Sequence, residues 1–395
     1  MENKQSSLKP LFVAQVAFWL RFGLIAPVLA LFIRRAGIAV TDIGLLMMIE
    51  SIGWAIFEPT FGLVADRFGK KMLAIYSVVA TSLIYIAYTF ANSIWHFYLL
   101  GFALSSNMAA GSVSNRAMTI DLLPAAERGK FYGRFMATLA IGMAIGPFLG
   151  GFLADAISIT APFYLCSGLG IISLAALLPM KYSERPKSDK ALSAPTLVRS
   201  QLLTKPVISL LLIRLLFASN WNFQRGILPI FLNESQSLQA SETQIGFYIG
   251  SISFTSALSQ FFLGALADKV GSKKLMALGL FAGGLSYLSL IYLNGVTPLY
   301  LLGVFQGIFF AAADISMMIY LMAIIPKGSS GRAMGFYGLF EDLGGMVAAP
   351  SLGMIYDRFG SIFSILYVST VLMCNAVLSI FFLKTDERHH SQKAG

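Results

Sequence analysis

Charge is what this chain has least of. Of its 395 residues only 12% are Asp, Glu, Lys or Arg, while 56% are hydrophobic and the mean hydropathy is +0.73. Soluble domains carry about a quarter charged residues, so an ordinary soluble fold is excluded and a polytopic membrane protein is expected. Cysteine is almost absent. Cys166 and Cys374 both lie inside apolar runs and offer neither a disulfide framework nor a metal site. The three histidines are His96 in a short loop and His389 and His390 near the C-terminus, so none lies in an apolar run. No grouping of nucleophile, base and orienter appears, no metal-ligand set, and no Gly-rich phosphate loop. Enzyme activity, metals, cofactors and ATP as an energy source are therefore not expected. The ten residues before Leu11 contain no cleavable signal pattern, so the first apolar run is expected to stay as a membrane helix.

A helix needs about 20 apolar residues to cross the hydrocarbon core. Twelve such runs are present, near residues 11–33, 42–65, 72–92, 96–120, 131–155, 160–180, 206–232, 243–267, 275–294, 298–325, 332–356 and 360–383. One long polar stretch, 181–205, divides six from six. It carries six basic residues against two acids and reads as a solvated cytoplasmic linker. The expected organisation is a six-helix bundle over 1–180, the linker over 181–205, a second six-helix bundle over 206–383 and a cytoplasmic tail over 384–395. The net charge of +10 does not point to nucleic acid. Of 29 Lys and Arg, 22 fall in the termini and every second loop, against Arg34, Arg35 and Arg358 in the opposite loops. By the positive-inside rule both termini are cytoplasmic. Short loops favour a prokaryotic inner membrane, and nothing in the sequence calls for more than a monomer. Asn233-Glu-Ser235 matches a glycosylation sequon, read here as chance.

The string Gly62-Leu-Val-Ala-Asp-Arg-Phe-Gly-Lys-Lys71 recurs 202 positions later as Gly264-Ala-Leu-Ala-Asp-Lys-Val-Gly-Ser-Lys-Lys274. The same offset links Pro27 to Pro229, Ile43-Gly44 to Ile245-Gly246, Tyr98-Leu-Leu-Gly101 to Tyr300-Leu-Leu-Gly303, Pro124 to Pro326 and Asp155 to Asp357. Duplication of this kind in an apolar chain marks a secondary transporter with its site between the halves.

The repeated loops and paired six-helix halves resemble the major facilitator superfamily along essentially the whole chain. Gly62, Asp66, Arg67, Gly69, Lys70 and Lys71 match that family's loop between the second and third helices, and Asp268 belongs to the second copy. The resemblance implies a gate that latches one conformer and breaks in the other. In physical terms, Gly62 is expected to admit a close helix and Asp66 to bind the positive end of a neighbouring helix. Gly133, Gly142, Gly146-Pro147 and Gly150-Gly151 reproduce the glycine-proline pattern of the fifth helix in antiporters of the superfamily, and Gly23-Leu-Ile-Ala-Pro27 resembles its drug:proton branch. Pro147 should bend that helix, and the glycines should allow close packing. The second half keeps only Gly345, Pro350 and Gly353. One departure bears on proton coupling. The Arg that the branch carries in its fourth helix is missing between Ile94 and Asn115, and Gln306-Gly307 survives only in the second half.

Nine charged residues lie well inside spans, away from their ends: Arg21, Glu50, Glu58, Arg116, Arg214, Arg225, Asp314, Glu341 and Asp342. Each costs about 2.5 to 3.5 kcal/mol or more at the membrane centre, so each should face protein or water. The family resemblance assigns the helices that carry them to a central cavity, and the third, sixth, ninth and twelfth to lipid. At about 1.5 Å rise per residue, Glu58 is expected to meet Arg116, and Arg214 to lie level with Asp314, Glu341 and Asp342. Glu341 and Asp342 cannot both point squarely at a cavity. Without an intramembrane histidine, protons must ride on carboxylates: Asp314 first, then Glu50, with Glu58, Glu341 and Asp342 as further candidates. Arg21, Arg214 and Arg225, flanked by Trp19, Phe22, Trp221 and Phe223, are the candidates for binding substrate.

These residues point to proton-coupled export of a small amphiphilic molecule by alternating access. The rival transport reading is uptake or exchange of an organic anion, siderophore-like ones included, on the three arginines. A non-transporting membrane sensor would show a degraded loop motif or a soluble appendage, and the sequence has neither.

Overall fold

The computed structural model describes residues 2–122, 128–182, 204–325 and 330–383. Most of the expected linker, the tail, Pro124, Pro326, His389 and His390 lie outside the described residues. The described residues form an all-α membrane fold of twelve rods, as the apolar runs foretell. Helices α1 (Glu2–Ile25) and α2 (Leu29–Arg35) make the first rod. It is followed by α3 (Val40–Phe68), α4 (Lys70–Tyr88), α5 (Ile94–Leu122), α6 (Arg128–Ala156) and α7 (Ala161–Leu177). The seventh rod joins α8 (Lys205–Asn222), a π-helical turn (Phe223–Ile227) and α9 (Leu228–Glu234). The remaining rods are α10 (Glu242–Val270), α11 (Ser272–Ser289), α12 (Thr297–Ile324), α13 (Ser330–Phe359) and α14 (Ser361–Phe382). Among the described residues nine rods are long and apolar enough to cross a membrane by themselves, and α7 is a shorter apolar helix.

Two compact units result, Met1–Ser193 with Ala240–Gly250 and Ala194–Gln239 with Ser251–Gly395. Each can be described on its own, and the 202-residue offset survives in their packing. Ala65, Leu73 and Ala110 form a small buried cluster in the first unit; Ala267, Leu275 and Ala312, each 202 residues on, are buried together in the second. Gly69 and Gly271 also correspond. Both cap the following helix with positive φ, 96° and 97°, a conformation glycine adopts without the Cβ clash other residues suffer. Pro27 and Pro229 correspond as well, and each sits where its rod departs from regular α-helix: at the break between α1 and α2, and just after the π-turn. Proline has no N–H to give the preceding turn, so the helical ladder must be interrupted near it.

One crossing is kept while its residues trade places. In the first unit a Cβ on Gly53 would lie 2.1 Å from Ser105 Oγ. In the second, a Cβ on Gly307 would lie 2.4 Å from the carbonyl oxygen of Ile252 and 2.9 Å from the Cβ of Thr255. Glycine has moved from one helix of the pair to the other, and the close approach persists because only one partner must be small.

Candidate functional site

The second unit holds a compact ionic cluster. Arg214 on α8 donates from Nη1 to Asp314 Oδ1 on α12 at 2.6 Å and from Nη2 to Glu341 Oε2 on α13 at 2.5 Å. Its side chain is only 9% exposed, whereas those of Asp314 and Glu341 are 46% and 38% exposed. The guanidinium is thus sunk between the helices with its two acids reaching outward. Aromatic faces hold it there, the rings of Tyr337 and Phe217 lying 4.5 and 5.7 Å from Cζ. Three helices meet on one cation, and the cluster carries one negative charge more than positive. Asp342, one residue beyond Glu341, is turned roughly 100° from it around the helix axis.

Depth reasoning also brings Glu58 and Arg116 together, at 2.8 Å on half-exposed side chains, with Arg116 donating to Ser112 Oγ as well. Glu50 is buried in α3. Arg225 lies within the π-turn, 5.9 Å over the Trp221 ring. A π-turn inside an α-helical rod often marks a functional position, and here it follows a buried polar group: Asn220 Oδ1 accepts from Tyr287 OH at 2.6 Å and from Gln224 Nε2 at 3.1 Å. Sequence reasoning missed Asn220, Gln224 and Tyr287. Buried amides in an apolar run were the available signal.

Arg21 departs from its expected place in a cavity. It is 1% exposed, donates to Ser82 Oγ at 3.0 Å and lies 5.1 Å from the ring of Tyr85, so it faces α4 and α7, the third and sixth rods. Height along a helix axis says nothing about which way a side chain turns around that axis. Trp19 and Phe22, on the same helix, pack edge to face at 6.2 Å, and Trp19 backs onto Gly142. Phe223 is fully buried against Tyr287, at 5.0 Å, and serves packing. Of the substrate candidates, Trp221 is 38% exposed, and Arg225, Trp19 and Phe22 are half-buried.

The Major Facilitator Superfamily profile matches residues 11–235 and 210–395. The chain belongs to the major facilitator superfamily. It is a multi-pass membrane transporter, and its relatives include drug efflux proteins. The multi-drug resistance efflux pump PmrA of Streptococcus pneumoniae is 26% identical over 352 residues, spanning 85% of this chain and 86% of that one. The multidrug resistance protein MdtG of Klebsiella pneumoniae is 26% identical over 389 residues, spanning 94% and 92%. Among solved structures, a bacterial homologue of the human lysosomal transporter Spinster, in an inward-facing and occupied conformation, aligns with a TM-score of 0.82. At 15% identity over 96% of this chain and 97% of that one, the likeness speaks to the fold alone.

The superfamily loop is built from inside the first unit. Lys70 Nζ donates to Asp121 Oδ2 at 2.6 Å, which also accepts from Tyr182 OH at 2.6 Å. Lys71 Nζ donates to the carbonyls of Leu178 and Met180, at 2.9 and 2.8 Å, just past the end of α7. A cation at a helix C-terminus meets carbonyls that have no intrahelical donor. Asp66, Arg67 and Asp268 are exposed. Gly62 differs from expectation: nothing among the described residues lies within 4 Å of where its Cβ would be, so it admits no close helix in this structure.

The superfamily's fifth-helix motif, on α6, does what its glycines suggest. A Cβ on Gly142 would lie 2.6 Å from Trp19, on Gly146 2.6 Å from Gly23, and on Gly150 2.0 Å from the carbonyl oxygen of Leu24, so α1 rests directly on the α6 backbone. Gly151 faces another way. Its Cβ would lie 2.2 Å from the carbonyl oxygen of Glu242, while a Cβ on Gly246 would lie 2.3 Å from that of Pro147. Arg35 pairs with Glu242 close by, and Ser241 donates to Asp155 at 2.9 Å. In the second unit the corresponding contact falls to Gly344, where a Cβ would lie 2.1 Å from the carbonyl oxygen of Leu215. Gly344 was overlooked in favour of Gly345, although adding 202 to Gly142 reaches Gly344.

Proposed function

We propose that this chain is a secondary transporter of a bacterial inner membrane, both termini cytoplasmic, that exports small amphiphilic molecules in exchange for protons by alternating access. The observation that carries the proton role is the cluster of one arginine and two carboxylates. Arg214 can hold one acid while the other takes up a proton, because one buried cation faces two half-exposed carboxylates and balances the charge of only one of them. Asp314, the more exposed of the two acids, is the first carrier, and Glu341 is its partner. Protonation of Asp314 leaves the Arg214–Glu341 pair intact and removes the surplus charge. Glu50, Glu58 and Asp342 are secondary carriers in this reading.

A bacterial relative named as an efflux pump favours the export direction. Trp221 and Arg225 beside the π-turn offer a flat apolar face next to a cation, suited to an amphiphile. The loop around Asp66 and the α6 glycines are the gating parts of the proposal, with Pro147 as the bend. Drug accumulation in everted vesicles, with and without an imposed pH gradient, tests the reading. Export coupled to protons requires gradient-dependent accumulation, and transport indifferent to the gradient would set it aside. Organic-anion transport on arginines is the weaker reading, because Arg214 is already neutralised and Arg21 is sealed.

A further inference from the structure

The seventh rod carries polar residues where its counterpart in the first unit has apolar ones. In the 202-residue register Ser219, Asn220, Asn222, Gln224 and Arg225 stand where the first rod has Ala17, Phe18, Leu20, Phe22 and Gly23. The aromatic frame around them is shared, for Trp221 corresponds to Trp19 and Tyr287 to Tyr85. So is one contact: the Tyr85 ring meets Arg21 at 5.1 Å, and the Tyr287 ring meets Phe223, which stands at the position of Arg21, at 5.0 Å. The polar set is a departure of the second unit from the repeat. Burying such groups is costly unless they are hydrogen-bonded.

Their bonds converge on the π-turn. Asn220, 4% exposed, accepts at Oδ1 from Tyr287 OH on α11 and from Gln224 Nε2, the latter reaching back across the start of the turn. The turn is closed by the N–H of Leu228 donating to the carbonyl of Phe223, an i→i+5 bond. Such a turn takes in one residue more than an α-turn, so each side chain from there on is rotated from where an unbroken α-helix would carry it. Arg225 lies on the turn and Trp221 just before it, so the angle between them is set by the turn. Tyr287 grips this region twice. Its ring packs on Phe223, the first residue of the turn, and its hydroxyl donates to Asn220 just ahead of it. It is fully buried and backed by Phe310 of α12 at 5.4 Å, so it acts from behind the turn rather than by touching a transported molecule.

We propose that Tyr287 is a positioning residue for substrate: by holding Asn220 and Phe223 it fixes the π-turn, and through the turn the setting in which Trp221 and Arg225 grip the transported molecule. The inference rests on the substrate face assigned above and adds the chemistry which that face takes. Trp221 suits a flat apolar ring system, and the guanidinium of Arg225, which has donors and no acceptor, suits a hydrogen-bond acceptor carried on that ring.

Acridone is a probe of this class, flat, uncharged and fluorescent, with a carbonyl acceptor. Its binding to the full chain in lipid nanodiscs is the test. Trp221→Ala and Arg225→Gln should each weaken binding severalfold. Tyr287→Phe keeps the ring on Phe223 and leaves Asn220 accepting from Gln224, so the chain should unfold near the wild-type midpoint and yet bind acridone severalfold more weakly. In a chain that already carries Trp221→Ala and Arg225→Gln, Tyr287→Phe should change binding no further, because effects that share one route are not additive. A purely structural tyrosine would lower the midpoint and leave the dissociation constant unmoved. That result overturns the proposal, as does further weakening in the doubly substituted chain. If Tyr287→Phe fails to fold, Gln224→Met, which removes the other donor to Asn220, carries the test on the same terms. Wild-type protein that does not bind acridone, or binding indifferent to Trp221→Ala and Arg225→Gln, would bring down the substrate face itself, whereas weakening in those two with none in Tyr287→Phe brings down this inference alone.

Discussion

Among the described residues Arg21 and Arg214 are the two intramembrane arginines that are buried, one in each unit, and the chain treats them in opposite ways. Arg214 is held by Asp314 and Glu341 from two other helices. Among the described residues Arg21 has a serine, a tyrosine face and no carboxylate. The first unit thus buries a cation with no protein anion, and the second presents a surplus anion. Elsewhere the two units repeat each other closely, in the Ala65 and Ala267 clusters and in the Gly69 and Gly271 caps. The difference teaches that duplication fixed the scaffold, while the charges on it diverged and carry the separate chemistry of each half.

The largest effect should come from breaking this contrast directly. Arg214→Gln leaves two acids uncompensated and is expected to cost about 3 kcal/mol, the low end for a broken buried pair because both acids are partly exposed. Arg21→Gln removes a buried charge without stranding a carboxylate among the described residues, so it should be neutral or stabilising. Thermal unfolding of both variants reads the difference. Equal destabilisation would mean that Arg21 has a protein counter-charge after all.

Glycines sharpen the comparison next. Gly142→Ala and Gly344→Ala place a Cβ within 2.6 and 2.1 Å of neighbouring backbone. Each should cost about 1 to 3 kcal/mol through overpacking. Gly62→Ala, with nothing near its Cβ, should instead gain about 0.5 to 1 kcal/mol from helix propensity. A loss at Gly62 would show that a conformer in which it is closely packed dominates in the membrane.

That glycine series bears on what the sequence could tell. The repeat, the twelve rods and the shared levels of the paired charges were legible, since hydropathy and a 1.5 Å rise fix position along a helix axis. Height alone paired Glu58 with Arg116 and set Arg214 level with Asp314 and Glu341. Direction around the axis was not legible, so Arg21 was assigned to a cavity when it turns toward α4 and α7. Nor was the exchange of Gly53 and Ser105 for Thr255 and Gly307, because a crossing needs one small residue and does not specify which helix supplies it. Lys71 was read as part of the gating loop. Its role emerges only once the end of α7 is seen beside it.

Smaller effects separate the two loop copies. Gly69→Ala and Gly271→Ala should each cost about 1 to 2 kcal/mol, the penalty for a side chain at positive φ. Matching losses would confirm that both copies keep the turn for the same reason. Lys71→Gln should cost only about 0.3 to 1 kcal/mol, the usual worth of a cation at a helix C-terminus. Denaturation midpoints resolve these steps, and a loss well beyond 1 kcal/mol at Lys71 would assign it more than capping.

Proton uptake in the second unit is the central claim, and Asp314→Asn tests it most directly. The variant fixes the surplus charge in its neutral form while leaving Glu341 on Arg214. Reconstituted vesicles with an imposed pH gradient should then lose gradient-driven accumulation of drug, while drug binding, measured by fluorescence on the same protein, persists. Accumulation that still follows the gradient as fully as in the wild type would contradict the account.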